Sequence, residues 1–336
     1  MKIVVTGGAG FIGCNIASRY AKKDHHVIVI DNLSRAGTEK NRDWLLKTFP
    51  KNITFEHGDI RKEKDLTSIK NADLVFHMAA QVAVTTSVTD PRSDFEINAL
   101  GTFNVLEAVR TLASKAIVIY ASTNKVYGSM ESVGVKEIAG RWEYVNPTLR
   151  RKGVPETLTL DFHSPYGCSK GTGDQYARDY HRIFGLKTIV FRQSCIYGPR
   201  QFGNEDQGWV MYFTRSALAG RSITIYGDGK QIRDILHVDD LLDAYDCAIN
   251  RIEKTAGQIF NIGGGPTQTI SLLELIASLE KTLGRKIKLN YDDWRSGDQK
   301  VYVSCIRKAK QDIGWKSKIE VETGLSSLLA WAKTLS

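Results

Sequence analysis

Near its N-terminus the chain reads Lys2-Ile3-Val4-Val5-Thr6-Gly7-Gly8-Ala9-Gly10-Phe11-Ile12-Gly13. An apolar strand is followed by glycines in the spacing G-x-x-G-x-x-G, and a helical pattern comes next. Glycine adopts positive φ and carries no Cβ, so the backbone of such a turn can approach a phosphate closely. The free N–H groups and the positive dipole end of the helix favour an anion. We therefore expect a doubly wound α/β fold that binds a dinucleotide pyrophosphate through Gly7, Gly10, Phe11, Ile12 and Gly13.

Two further strands end near carboxylates. Residues 27–30 form a short apolar run that ends at Asp31, and residues 53–60 form another that contains Asp59. Asp31 is placed to bind the adenosine ribose hydroxyls and to repel a 2′-phosphate, which favours NAD over NADP. Arg35 favours NADP instead, since an arginine can accommodate that phosphate. Asp31 could instead be a strand-end cap, and Asp59 could contact the adenine amino group or cap a helix.

Strand and helix patterns alternate through the first half of the chain. We predict strands at 74–80, 116–120 and 188–192, and helices at 98–112 and 165–184. Continuous apolar strands separated by helices are typical of a parallel sheet covered on both faces. Polar loops follow Ser194, then a strand and tight turn at 223–229 and helices at 271–283 and 322–335. We therefore expect a Rossmann domain over 1–193 and a smaller α/β substrate-binding domain mainly over 194–336, with an interleaved boundary.

Composition excludes several classes of protein. The 336 residues carry a formal charge of +9, and no apolar run reaches the length of a membrane span. The five cysteines lack C-x-x-C spacing, which favours a reducing compartment such as the cytoplasm and predicts no metal site. The chain starts directly with a strand, so we expect no signal peptide. We attribute the positive charge to solvated lysines, because nucleic-acid binding would require a basic tail or patch.

Tyr166 and Lys170 have the spacing Tyr-x-x-x-Lys, which puts both side chains on one face of a helix. A free tyrosine has a pKa of about 10, and a nearby ammonium should lower the pKa of Tyr166 and make it a better base. Thr123 follows a central strand and could orient the substrate hydroxyl. We predict these three as the catalytic residues, and the alternative for the pair is an exposed helical contact.

Several motifs together give the chain a family resemblance. It is similar to extended short-chain dehydrogenases/reductases that act on nucleotide sugars, through the glycine turn, Asp31-Asn32-Leu33, Asp59-Ile60, His77-Met78-Ala79-Ala80-Gln81, Tyr166-x-x-x-Lys170, Tyr197-Gly198-Pro199-Arg200-Gln201 and Arg233-Asp234-Ile235-Leu236-His237-Val238-Asp239-Asp240. The resemblance implies bound NAD, a tyrosine acid/base, a lysine on the nicotinamide ribose and a homodimer packed through the helices at 98–112 and 165–184. Further NAD contacts are implied at Asn32, Ser34, Arg35, Ile60, Ala79, Ala80, Gln81 and Asn98.

Asn124 and Lys125 distinguish members of this family. The 4,6-dehydratases carry Asp-Glu at this place. This chain lacks both carboxylates, so it lacks the acid/base pair for dehydration. With Arg200-Gln201-Phe202 and Asp206-Gln207-Gly208-Trp209, the segment resembles epimerases that invert C2 of CDP-paratose or CDP-tyvelose through a 2-keto sugar. Cys195 replaces the Asn of many members. Substrate contacts are expected from Thr123, Asn124, Lys125, His163, Ser194, Cys195, Gln201, Gln207, Arg233 and Arg295. A UDP-sugar 4-epimerase and a non-catalytic nucleotide sensor remain alternatives.

Overall fold

A computed structural model describes residues 1–295 and 297–335. Seven parallel strands form the main sheet in the order β12-β8-β5-β4-β1-β2-β3. Their bounds are β1 Lys2–Thr6, β2 His26–Asp31, β3 Ile53–His57, β4 Leu74–His77, β5 Ile117–Thr123, β8 Lys187–Gln193 and β12 Ile259–Ile262. Buried apolar side chains fill both faces of this sheet. The predicted doubly wound Rossmann sheet is confirmed.

The strand order reverses between β1 and β4, which pair side by side although β2 follows β1 in the chain. Open parallel sheets bind ligands at such a switch point, outside the carboxyl ends of the strands. Gly7, Asp31 and Thr123 all lie at that edge, at or just after the ends of β1, β2 and β5. The topology therefore brings the predicted cofactor and catalytic residues together.

Helices cover the sheet and continue into the second half of the chain. They are α1 Phe11–Ala21, α2 Thr38–Thr48, α3 Val84–Thr89, α4 Pro91–Phe95, α5 Gly101–Leu112, α6 Pro147–Lys152, α7 Ser164–Phe184, α8 Trp209–Leu218, α9 Val238–Ile249, α10 Ile252–Thr255, α11 Leu272–Leu283, α12 Arg307–Ile313 and α13 Val321–Lys333. Short 3₁₀ helices lie at Glu63–Ile69 and Asn124–Tyr127, and a π-helical turn at Glu96–Leu100 precedes α5.

Two predicted strands are shorter than expected. β4 ends at His77, because the chain then turns against the glycine turn, where a Cβ on Gly7 would lie 2.6 Å from the Ala79 nitrogen. β3 ends at His57, so Asp59 lies in the following loop. The helix expected from residue 98 begins as an α-helix only at Gly101.

A smaller part stands over the carboxyl ends of the main strands. It contains β9 Cys195–Tyr197, β10 Ile223–Tyr226, β11 Ile232–His237, β13 Thr269–Ser271, β14 Leu289–Asp292 and β15 Val301–Tyr302, packed with α8, α11 and α13. A hairpin of β6 Val135–Ile138 and β7 Arg141–Tyr144, which the sequence did not predict, lies beside it. β12 returns to the main sheet, and the division at residue 193 stays a prediction.

Within the described residues, no helix is long and apolar enough to span a membrane. The same residues contain no group of three or more His, Cys, Asp or Glu side chains arranged to hold a metal ion.

Candidate active site

One large cavity of about 1130 Å³ lies between the carboxyl ends of the parallel strands and the smaller part. Nearly every predicted site residue lines it: Gly7, Gly10, Phe11, Ile12, Gly13, Asp31, Asn32, Ser34, Arg35, Asp59, Ile60, Ala79, Ala80, Gln81, Thr123, Asn124, Lys125, Tyr166, Lys170, Ser194, Cys195, Gln201, Gln207, Arg233 and Arg295. Asn98 and His163 do not line it.

The glycine turn leaves no room for side chains on its inner side. Gly7 has φ +66°, a conformation that L side chains rarely adopt, and a Cβ on Gly13 would lie 2.2 Å from the Gly7 carbonyl oxygen. Gly10 and Phe11 at the start of α1 border the cavity. This cradle fits the pyrophosphate of NAD at the N-terminus of α1.

Gly13→Ala is expected to weaken NAD binding by about tenfold to a hundredfold, because the new Cβ forces the turn open at a cost of about 1–3 kcal/mol. Calorimetric titration of NAD into protein freed of retained cofactor measures this. Gly134→Ala is the matched control, since a Cβ there meets only Val145 at 3.6 Å. Equal NAD affinity of the Gly13 variant and the wild type would contradict the role of the turn.

Asp31 binds the glycine turn as well as bordering the cavity. Its carboxylate accepts hydrogen bonds from the backbone N–H of Ala9 at 3.0 Å and of Leu33 at 2.8 Å. Burial raises the pKa of Asp31, and these N–H groups counteract that effect. The interaction fixes Asp31 at the end of β2, where its role with a ribose stays a prediction.

Asp59 pairs with Arg61 at 2.6 Å and accepts a hydrogen bond from Asn32 at 3.2 Å. Hydrogen bonding to Arg61 is the main cause that lowers the pKa of Asp59 to about 2. The following 3₁₀ helix is capped at Lys62, so Asp59 is not its N-cap residue. Contact with adenine stays a prediction.

Tyr166 lies in the first turn of α7 with only 8% of its surface exposed. The Thr123 side chain lies close enough to it to favour the phenolate, and the Thr123 hydroxyl also accepts a hydrogen bond from the Lys125 backbone N–H at 3.2 Å. A substrate hydroxyl at this edge can therefore meet both side chains. Burial raises the pKa of Tyr166 to about 12, although the Thr123 hydrogen bond and the charge of Arg35 act in the opposite direction.

For the groups of the protein alone, burial therefore outweighs the lowering of the Tyr166 pKa expected from Lys170, and the further lowering expected from oxidised nicotinamide stays a prediction. Lys170, the expected cause, is 3% exposed and lies with its Nζ 4.4 Å from the centre of the Tyr120 ring. Burial lowers the pKa of Lys170 to about 7, and the charges of Asp174 and Asp94 partly oppose this. The prediction treated the pair by charge alone and omitted the loss of hydration of both groups.

Sequence reasoning missed Asp94 and Asp174, whose charges raise the pKa of Lys170. Asp174 lies one helical turn after Lys170, so the i, i+4 spacing could have revealed it. It is fully buried and binds the guanidinium of Arg192 through two contacts of 2.9 Å. Asp94 accepts hydrogen bonds from Asn98 and Ser169. Only the fold brings Asp94 close to Lys170.

Asn98 and His163 are placed differently from the sequence prediction. The Asn98 amide holds both backbone groups of Gln81 at 3.0 Å, so Asn98 supports the cavity wall from behind. His163 is exposed just before α7 and packs against Gly297. Each prediction rested on motif position, which does not determine where a side chain points.

Four contacts of the predicted cofactor and substrate residues connect the loops that surround the cavity. Arg35 donates to Gln207 at 2.7 Å and so joins the loop after β2 to the smaller part. Arg233 donates to Asp298 at 2.6 Å, Arg295 stacks 4.0 Å from the centre of the Tyr226 ring, and the Cys195 thiol accepts from Trp209 at 3.5 Å. Burial raises the pKa of Cys195, which keeps the thiol protonated.

A comparison of the whole chain with known proteins agrees with the glycine turn, with the proximity of Thr123 and Tyr166 and with the large cleft. Residues 3–263 match the family model described as the NAD dependent epimerase/dehydratase family. The chain belongs to this family. NAD is therefore its cofactor, and the predicted family and class of enzyme are confirmed.

Individual relatives cover the whole chain. It is 43% identical to the CDP-paratose 2-epimerase of Salmonella typhi over 100% of both chains. The UDP-glucose 4-epimerase of Thermotoga maritima, solved with UDP-glucose, has a TM-score of 0.85 and 32% identity over 100% of both chains. The UDP-glucuronic acid 4-epimerase of Bacillus cereus, solved with UDP-glucuronic acid and NAD, has a TM-score of 0.85 and 28% identity over 100% of both chains.

Proposed function

We propose that this protein inverts C2 of a CDP-hexose of the paratose/tyvelose type through a transient 2-keto sugar. The 43% identity to a CDP-paratose 2-epimerase over the full chain carries this proposal. The site supports it, because Thr123 and Tyr166 form an acid/base contact, whereas Asn124 and Lys125 supply no carboxylate for dehydration.

Some residues of the chain take part in proton transfer, and others bind the substrate. NAD, which the glycine turn from Gly7 to Gly13 would hold, would supply reversible hydride transfer at the sugar carbon. Tyr166 takes the proton of the C2 hydroxyl and later gives it back, while Thr123 holds the same oxygen. Such acid–base help contributes about 10²–10⁴-fold to the rate. Arg233 and Arg295 bind the diphosphate, since guanidinium groups make bidentate contacts with phosphate. The wide cavity lets the sugar present its other face to the cofactor.

A panel of CDP-, UDP-, GDP- and dTDP-hexoses tests the proposal. We expect C2 inversion of the CDP-sugar without added NAD, and NMR of the products measures it. A C2-deuterated substrate should keep its label in water, because the hydride returns to the carbon that it left. Loss of the label to solvent would contradict this mechanism and indicate deprotonation beside a carbonyl.

A UDP-sugar 4-epimerase is the second candidate, favoured by the 34% identity to a putative UDP-glucose 4-epimerase of Methanocaldococcus jannaschii over 98% of both chains. The same Thr123 and Tyr166 would serve with C4 of the sugar in place of C2. Inversion of C4 in the panel would establish this alternative. A protein that binds nucleotide but converts none of these sugars would be the non-catalytic sensor.

We also propose a cytoplasmic homodimer. Exposed apolar side chains on the two helices predicted to form the interface support the dimer: Leu100, Phe103, Tyr176, Ile183 and Phe184. The five free cysteines support a reducing compartment. A monomeric mass by light scattering would contradict the dimer.

A further inference from the structure

Lys125 lies in the turn directly after the catalytic Thr123. Its backbone N–H donates to the Thr123 hydroxyl at 3.2 Å, which fixes the start of its side chain relative to the reacting oxygen. The side chain is 20% exposed and borders the cavity. The Lys125 side chain therefore reaches the cavity from a largely buried position, where burial lowers the pKa of its ammonium group and the charge of Asp298 opposes that effect.

The contacts of Lys125 create a site with excess positive charge. Its Nζ lies 3.2 Å from the Gly297 carbonyl oxygen and 3.7 Å from Oδ1 of Asp298. The same Oδ1 accepts a hydrogen bond from Arg233 at the shorter distance of 2.6 Å. Two cations thus share one carboxylate, and the nearby thiol of Cys195 is neutral at ordinary pH because burial raises its pKa. An anionic group of a ligand would balance the remaining charge.

The sugar chemistry indicates which anion this is. C2 is bonded directly to C1, the carbon that carries the diphosphate, whereas C4 lies across the ring. When C2 is held at Thr123 and Tyr166, the β-phosphate must therefore lie closer to Thr123 than it does when C4 reacts. A cation anchored next to Thr123 and beside Arg233 meets this requirement.

We propose that Lys125 binds the β-phosphate of the CDP-hexose and thereby selects C2 as the reacting carbon. The proposal rests on the proposed function for its choice of carbon, but the phosphate contact can be measured separately. Lys125 is a specificity-determining residue on this view. A carboxylate in its place would repel the β-phosphate at the same position.

Binding of CDP and CMP to the NAD-loaded protein tests the contact, since only CDP has a β-phosphate. Lys125→Met should weaken CDP binding by about tenfold to a hundredfold, the loss of a charged hydrogen bond, and leave CMP binding unchanged. Lys125→Arg should retain most of the CDP affinity. Lys286→Met, which removes an exposed lysine paired with Glu280, is the control for net charge. Thermal melting confirms that each variant is folded.

Equal weakening of CDP and CMP by Lys125→Met would overturn the proposal, because the β-phosphate would then not be involved. The proposal would also be overturned if Lys125→Met left the binding of both nucleotides unchanged but raised the KM for the CDP-hexose. That result would indicate that Lys125 contacts a sugar hydroxyl. The wild-type product shows independently whether C2 is the reacting carbon. If the wild type inverts C4 of a UDP-sugar, the selection of C2 is refuted, while the same test with UDP and UMP still measures the phosphate contact.

Discussion

Tyr166→Phe is expected to lower kcat by at least about 10²-fold, the usual contribution of one general acid/base group. The phenol is buried beside Thr123 at the carboxyl end of the sheet, so no water can readily replace it as the proton acceptor. The remaining ring fills the same space, and we therefore expect the melting temperature and the NAD affinity to stay close to those of the wild type.

Tyr176→Phe provides the matched control on the same helix. Tyr176 is 45% exposed and contacts Phe103 and Tyr180 through its ring, which phenylalanine retains. Turnover of the CDP-hexose, followed by NMR, should be normal in this variant. Near-normal epimerisation by the Tyr166 variant would refute the assignment of Tyr166 as the acid/base.

Local sequence patterns predicted the parts of the site that depend on neighbouring residues. The positive φ of Gly7 and the close approach of Gly13 to the Gly7 carbonyl oxygen both arise within one short turn, and the spacing of Tyr166 and Lys170 follows from one helix. The parallel direction of the strands likewise follows from alternating strand and helix patterns. For these features the sequence contains the physical cause directly.

Contacts between distant segments were outside the reach of such patterns. The approach of Asp298 to both Lys125 and Arg233 depends on how the smaller part is placed over the sheet. The predicted direction of the Tyr166 pKa shift differs from the direction in the structure for a related reason. A neighbouring charge is visible in the sequence, but the loss of hydration depends on everything that packs around the phenol.

Arg192→Met should lower the free energy of unfolding by about 3–5 kcal/mol, the usual cost of removing one partner from a buried ion pair. Arg192 in β8 and Asp174 in α7 are 2% and 0% exposed, and methionine would leave the Asp174 carboxylate buried without its cation. The Ser122 hydroxyl at 2.7 Å would remain as a donor to Asp174, but it is uncharged. Urea unfolding measures the change.

An exposed lysine on the same strand shows whether burial is the cause. Lys187 pairs with Glu253 at 3.5 Å and is 42% exposed, so Lys187→Met should cost about 0–1 kcal/mol. Adding Asp174→Leu to Arg192→Met should recover much of the lost stability, because the double variant no longer buries the Asp174 carboxylate without Arg192, while Asp94 remains as a counter-charge for Lys170. Equal destabilisation by the Arg192 and Lys187 variants would contradict this account. Because Asp174 also favours the charged form of Lys170, the pair links the stability of β8 and α7 to the charge of Lys170.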